Sequence, residues 1–185
     1  MDIKYLSFGS SCAVTYNLSQ CNKRNECFPF DWLYSSICSI IDAIYFDFQY
    51  FTDITKIKNI SYNFPLLYND WNEEDNKNGT TRCINKYNFI FVHDYDNTMS
   101  NIDAVKCKYE RRIERFRVVM RDKNIHKKIY CVGTTTDGKN IDRLIQVMND
   151  ALYVNFTIRF MHYSGMGPNE CWKMTNFNWS NWFDT

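Results

Sequence analysis

The chain has 185 residues and a formal net charge of +1, from 22 Lys and Arg residues against 21 Asp and Glu residues. This length is typical of one domain, and a hydrophobic content of 45% excludes global disorder. The near-zero net charge argues against general nucleic-acid binding. We therefore expect a single domain over residues 1–185, and the sequence leaves its oligomeric state open.

The beginning of the chain has no apolar targeting segment, since Met1 is followed by Asp2, Ile3 and Lys4. The longest apolar-rich stretch, 37–51, is interrupted by charged and polar residues and is too polar for a membrane span of ~20 apolar residues. The sequence thus predicts a soluble, cytoplasmic protein without a membrane span.

The eight cysteines include no CxxC pair, and the three histidines are scattered, which argues against a zinc site. We predict no metal and no cofactor. In a reducing compartment most free cysteines are buried as small hydrophobic residues, and the apolar surroundings of Cys38 and Cys131 favour this for both.

Predicted strands and helices alternate along the chain. Apolar runs predict strands at 3–8, 88–92, 128–132 and 153–160, and helical spacing of apolar residues predicts helices at 13–20, 35–50, 102–123 and 140–152. This alternation favours an α/β fold, a single-domain three-layer sandwich around a mostly parallel sheet.

Polar residues follow three of the predicted strands, at Gly9–Cys12, His93–Asp94 and Gly133–Thr136. Ligands of open α/β sheets bind at the carboxyl ends of the strands. We therefore predict that Cys12 and His93 share one crevice at the edge of one sheet.

Cys12 is the candidate nucleophile because it lies where the first predicted helix starts. Free N–H groups and the helix dipole stabilise anions there, and they can lower a thiol pKa from ~8.5 to about 3.5–7.5. The same N–H groups, with Ser10 and Ser11, can bind an oxyanion or a phosphate of the substrate. The alternative is a buried cysteine beside an ordinary strand-to-helix turn.

His93 is the candidate general base, and His162, at the end of the fourth predicted strand, is the second choice. The acid that orients the imidazole is Asp94 or Asp31. Asp94 qualifies only if the strand ends at His93, since neighbouring side chains of a strand point to opposite faces. Asp31 lies in an apolar loop, where a carboxylate needs a partner, and it could instead cap the following helix.

Arg112 and Arg115 are candidates for binding an anionic group of the substrate. The alternative is a solvated helix face with Glu110 and Glu114 as partners. These arginines leave open a non-catalytic phosphate- or nucleotide-binding module. The aromatic tail from Trp172 to Phe183 leaves open a host-interaction protein.

Four segments together resemble one protein family: 8–12 (FGSSC), 28–32 (FPFDW), 91–94 (FVHD) and 109–116 (YERRIERF). They are similar to the papain-like cysteine peptidases grouped as domain of unknown function 1796, a family of bacteria and large DNA viruses. The resemblance covers residues 3–135. It implies a thiol protease, located in the host cytoplasm if viral, with Cys12 as nucleophile, His93 as base and Asp31 or Asp94 as supporting acid.

The family description implies a papain-like α+β fold as the alternative to the parallel sandwich. The glycine-serine turn before Cys12 also resembles the nucleophile turn of the SGNH and GSCFA hydrolases, in which a Ser or Cys after the first strand hydrolyses esters. A parallel sheet would favour an esterase or acyltransferase over a peptidase. In either case we expect a peptide or acyl substrate.

Overall fold

The structure is a computed structural model that describes residues 2–9, 12–56, 80–162, 173–174 and 176–185. The strands of these ranges are β1 (Asp2–Ser7), β2 (Leu33–Tyr34), β3 (Ile54–Lys56), β4 (Thr80–Asn85), β5 (Ile90–Asp96), β6 (Ile125–Gly133) and β7 (Phe156–His162). The helices are α1 (Cys12–Gln20), α2 (Ile37–Tyr45), α3 (Ile102–Arg121), α4 (Thr135–Gly138), α5 (Ile141–Asp150) and α6 (Trp179–Asp184). No helix among the described residues has the length and apolar character needed to cross a membrane.

The described strands form two sheets, whereas the sequence predicted one. β1, β6 and β7 form a parallel sheet in the order β1-β6-β7, and the other four strands form an antiparallel sheet in the order β2-β5-β4-β3. The apolar run of β5 predicted a buried strand correctly, but it did not specify the neighbours, and β5 pairs antiparallel with β2 and β4. The protein is therefore a mixed α/β protein, and the three-layer sandwich is not confirmed.

One face of the parallel sheet is covered by α1 and α6. The buried side chains of this contact are Ala13, Val14, Leu18, Tyr130, Val132, Met174, Trp179, Trp182 and Phe183. The Tyr130 hydroxyl also donates a hydrogen bond to the carbonyl oxygen of Phe183, at 2.7 Å. The aromatic residues of α6 are thus part of the core, which removes the basis for a free docking tail there, while Trp172 lies outside the described residues.

The main core contains residues of both sheets and of α2, α3 and α5. The ring of Phe30 lies 4.9 Å from that of Phe8, just after β1, and 5.6 Å from that of Phe89, just before β5. Phe30 therefore packs between the ends of one strand from each sheet. The predicted apolar stripe of α3 is buried in the same core: Val105, Tyr109, Ile113, Phe116 and Met120.

Helix α2 corrects two expectations from the sequence. Cys38 is exposed, because the face of α2 that packs into the core carries the isoleucines at 37, 40, 41 and 44, whereas Cys131 is buried as predicted. The helix is capped by Ser36, whose side chain accepts the N–H of Ser39, so Asp31 is not its N-cap.

The polar residues after β6 have a structural role. Thr134 and Asp137 form a capping box at the start of α4. Asp137 also accepts the backbone N–H of Ile37, at 2.9 Å, and so ties α4 to α2. This strand end, which the sequence grouped with the candidate site, stabilises the packing of two helices.

We expect Phe30→Ala to lower the free energy of unfolding by about 3–5 kcal/mol, since the substitution leaves a cavity between the two sheets. The matched control is Phe46→Ala, at a side chain that is 49% exposed, with an expected loss below about 1 kcal/mol. Urea denaturation followed by tryptophan fluorescence measures both. Equal losses for the two variants would contradict a central role of Phe30.

Candidate active site

The turn that presents Cys12 requires a glycine. Gly9 follows the buried end of β1 and adopts a left-handed φ of +61°. A Cβ atom at this position would lie 2.5 Å from the Ser35 hydroxyl oxygen, so any other residue would force the buried Ser35 to move. Helix α1 then begins at Cys12. Ser10 and Ser11 lie outside the described residues, so their expected role in binding substrate stays a prediction.

His93 lies within a strand and not at its end, because β5 continues to Asp96. Between its pairings at Phe91 and Tyr95, β5 holds three residues, while β4 holds one between the matching positions. Such a bulge bends the strand and changes the direction of its side chains, and bulges are common beside active sites. The His93 side chain is exposed at this bulge.

The structure brings Cys12 and His93 together. The Cys12 Sγ lies 3.9 Å from the His93 Nε2, within the reach of a sulfur hydrogen bond. Cys12 follows a strand of the parallel sheet and His93 belongs to the antiparallel sheet. The premise that both residues lie on one sheet is therefore wrong, and the pair forms where the two sheets meet.

The Cys12 thiol is buried, with 1% of the residue exposed. Burial and, to a smaller extent, the negative charge of Asp94 raise the pKa of Cys12 to about 12. The backbone N–H at the helix start lowers the pKa, but by less than burial raises it. The sequence predicted that the helix start would lower the pKa of Cys12, and this is wrong because the effect of burial is larger. With a pKa of about 12 the thiol is protonated at neutral pH.

Trp32 contacts the imidazole of His93, with ring centroids 6.4 Å apart in an edge-to-face arrangement. Its backbone is left-handed, with a φ of +66°, a strained conformation for a bulky residue. Trp32 also packs against the apolar cluster that contains Cys12. The sequence placed Trp32 in the FPFDW segment but gave no signal of its contact with His93, which lies 61 positions further along the chain.

Asp31 anchors the loop before β2 to helix α1. Its buried carboxylate accepts hydrogen bonds from Arg24 and from the backbone N–H of Phe28, both at 2.6 Å, and from the Thr15 hydroxyl at 3.2 Å. Burial raises the pKa of Asp31, and the charge of Arg24 opposes that shift. Thr15 lies three residues after Cys12 on α1. Asp31 thus holds the helix that carries the thiol.

Asp94 is bonded to helix α3. Its carboxylate accepts a hydrogen bond from the Tyr109 hydroxyl at 2.7 Å and forms an ion pair with Lys108. The condition under which the sequence favoured Asp94 as the orienting acid, a strand ending at His93, is not met. Asp94 therefore ties the bulge of β5 to α3, and its role toward His93 stays a prediction.

The two candidate arginines make contacts within the protein. Arg115 donates to the carbonyl oxygen of Cys27 at 2.8 Å and pairs with Glu26 at 3.4 Å. The guanidinium of Arg112 lies over the Tyr109 ring, 5.1 Å from its centroid. The Arg115 contacts fasten α3 to the loop that carries Asp31, whereas the Arg112 contact lies within α3. Substrate binding by either arginine stays a prediction.

His162, the second-choice base, lies at the end of β7 in the parallel sheet. Its Nε2 is 2.7 Å from the Thr135 hydroxyl oxygen, at the start of α4. His93 is thus the candidate base found beside Cys12.

Cysteine hydrolases use a cysteine beside a histidine, and the described residues place such a pair between the two sheets. Residues 3–164 match the family model described as "Putative papain-like cysteine peptidase (DUF1796)", and the chain belongs to this family. The match confirms the resemblance seen in the sequence and extends it beyond residue 135.

A relative from Acanthamoeba polyphaga mimivirus, "Uncharacterized protein R408", is 29% identical over 181 residues, covering 86% of this chain and 76% of the relative. No solved structure matches the chain.

We expect Asp31→Asn to lower the free energy of unfolding by about 3–5 kcal/mol, because it leaves the Arg24 charge buried without its partner. The control is Asp53→Asn, since Asp53 pairs with Lys86 at 3.9 Å while 56% of its side chain is exposed. An exposed pair contributes about 0–1 kcal/mol, so the control should change little. Chemical denaturation of both variants provides the test, and a loss below about 1 kcal/mol for Asp31→Asn would contradict the anchoring role.

The raised pKa of Cys12 predicts the pH dependence of its alkylation. The thiolate is the reactive form, so labelling of Cys12 by iodoacetamide should rise about tenfold per pH unit from pH 7 to pH 10 without levelling off. The exposed Cys38 and Cys107 serve as internal references in the same digest. Quantitative peptide mass spectrometry gives each rate, and a plateau for Cys12 below pH 8 would contradict the raised pKa.

Proposed function

We propose that the protein is a cysteine hydrolase of the peptidase type, in which Cys12 attacks an amide or ester carbonyl and His93 acts as general base. The observation that carries the proposal is the 3.9 Å separation of Sγ and Nε2. Membership of the papain-like cysteine peptidase family supports a peptidase-like hydrolase at the coarse level.

The high pKa of the thiol decides the first step. Because Cys12 is protonated at rest, His93 removes the proton during the attack and does not hold a preformed thiolate. The sulfur bonds to the carbonyl carbon, the carbonyl π electrons move to oxygen, and the proton passes to Nε2. When the tetrahedral intermediate collapses, the leaving amine or alcohol takes this proton. Water then attacks the thioester carbonyl while His93 takes its proton, the C–S bond breaks, and the proton returns from Nε2 to Sγ, which restores the resting thiol and releases the acid.

The oxyanion of the intermediate needs hydrogen-bond donors near the sulfur. The backbone N–H of Cys12 lies at the start of α1, and Ser10 and Ser11 are the further residues we propose for this role. We assign no proton-transfer step to Asp31 or Asp94, since both carboxylates hold structural bonds. Asp31 acts on the site through α1, and Asp94 acts through β5.

A second candidate function is that of an esterase or acyltransferase. It is favoured by the parallel sheet, because β1, the strand that leads to the Cys12 turn, pairs in parallel with β6. The same residues would act in both reactions, and the difference lies in the leaving group and in whether water or another acceptor takes the acyl group. The viral relative is compatible with a substrate in the host cytoplasm, which we include in the proposal.

We expect Cys12→Ala to abolish hydrolysis and His93→Gln to lower kcat by about 10²–10⁴-fold, the usual contribution of a general base. Cys38→Ala is the matched control, since Cys38 is an exposed cysteine on α2. Fluorogenic peptides and p-nitrophenyl esters form the substrate panel.

Activity on peptides supports the peptidase, and activity confined to esters supports the second candidate. Hydrolysis that survives in Cys12→Ala would contradict both.

A further inference from the structure

Besides the His93 imidazole, Cys12 has a cluster of apolar side chains around it. They come from the segment that leads into and forms β2 and from strands β4 and β5: Trp32, Tyr34, Ile84, Ile90 and Val92. Tyr34 and Ile90 are buried. The other three, which we call the apolar patch (Trp32, Ile84 and Val92), keep part of their surface exposed. Partly exposed apolar surface therefore borders the cluster that contains the buried sulfur.

The position of this patch matters because Sγ is almost fully covered. With 1% of Cys12 exposed, a carbonyl group can reach the sulfur only after a side chain beside it shifts. A substrate that enters there covers the surface of the patch. Covering apolar surface is favourable only when the incoming group is itself apolar.

The charges near the sulfur also favour an uncharged incoming group. The negative charges of Asp94 and Asp31 both oppose a further negative charge at Cys12. Arg115, which could attract an anionic group, is paired with Glu26. The two carboxylates thus oppose an anionic group placed next to the sulfur, even though each also has a cationic partner.

We infer that the apolar patch binds the acyl side of the substrate, so that the protein acts on carbonyl compounds whose acyl group is uncharged and apolar. This inference rests on the proposed function, because it assumes that Cys12 is the attacking group. It adds the substrate class: a peptide with an apolar residue on the acyl side of the scissile bond, or an ester of an apolar acid. Trp32 belongs to the patch and also contacts His93, so the acyl group and the base would share one side chain.

Alkylation tests the inference without a known substrate. The full-length protein is treated at pH 8.5 with iodoacetamide, with N-phenethyl-iodoacetamide or with iodoacetate, which carry a neutral small, an apolar and an anionic group. Peptide mass spectrometry gives the rate at Cys12, and the exposed Cys38 and Cys107 correct for the intrinsic reactivity of each reagent.

After correction by these references, we expect the phenethyl reagent to label Cys12 about tenfold faster than iodoacetamide, because an apolar contact typically gives a discrimination of this size. We expect iodoacetate to be the slowest of the three. Equal relative rates, or the fastest labelling by iodoacetate, would overturn the inference while leaving Cys12 as the nucleophile. A Cys12 that none of the three reagents labels would instead contradict the proposed function, and the inference with it.

A pair of isosteric variants locates the preference. Val92→Thr keeps the shape of the patch and adds a hydroxyl, and we expect it to reduce the phenethyl preference at Cys12 about threefold. Val118→Thr is the control, at a valine of α3 that is 62% exposed, and it should leave the preference unchanged. Thermal unfolding of both variants checks that the fold is intact, and the same preference in Val92→Thr as in the control would overturn the role of the patch.

Discussion

Two consecutive residues of one loop connect the two sheets. Phe30 packs between Phe8 after β1 and Phe89 before β5, and Asp31 bonds to Thr15 on α1. Two residues later the chain enters β2, which pairs with β5. The helix that carries the thiol and the strand that carries the imidazole are therefore held by the same short segment, so the geometry of the cysteine–histidine pair depends on its packing.

The buried thiol gives the site a particular chemical character. A protonated sulfur shielded by apolar side chains reacts slowly with small electrophiles and oxidants, because the thiolate is the reactive species. Reaction then requires two events: an incoming group must displace some of the apolar side chains over the sulfur, and the proton must pass to His93. Selectivity therefore depends on these apolar side chains as well as on Cys12 and His93.

Several elements could be predicted from the sequence because their signals are local. The spacing of Val105, Tyr109, Ile113 and Phe116 predicts α3, and the apolar runs before Gly9 and Gly133 predict β1 and β6. The division into two sheets could not be predicted. It depends on β2, β3 and β4. The first two have only two and three residues, too few for a periodic pattern. In β4 the buried positions include Thr81 and Asn85, so the alternation of burial does not show as an alternation of apolar residues.

The candidate site shows the same limit. Strand-to-helix position singled out Cys12, and an apolar run before His93 singled out the base, so the pair could be named in advance. The bulge that turns His93 toward the sulfur comes from a register shift against β4, which no local pattern specifies. The raised pKa of Cys12 likewise depends on side chains that folding brings from distant strands, and helix position alone predicted the opposite shift.

Helix α6 gives the distal end of the chain an influence on the reactive centre. Its Trp179, Trp182 and Phe183 pack in one cluster with Ala13, Val14 and Leu18 of α1, the helix that begins at Cys12. Disruption of α6 would therefore loosen the packing of α1 without touching either reactive atom, and it could change the reactivity of Cys12 from a distance.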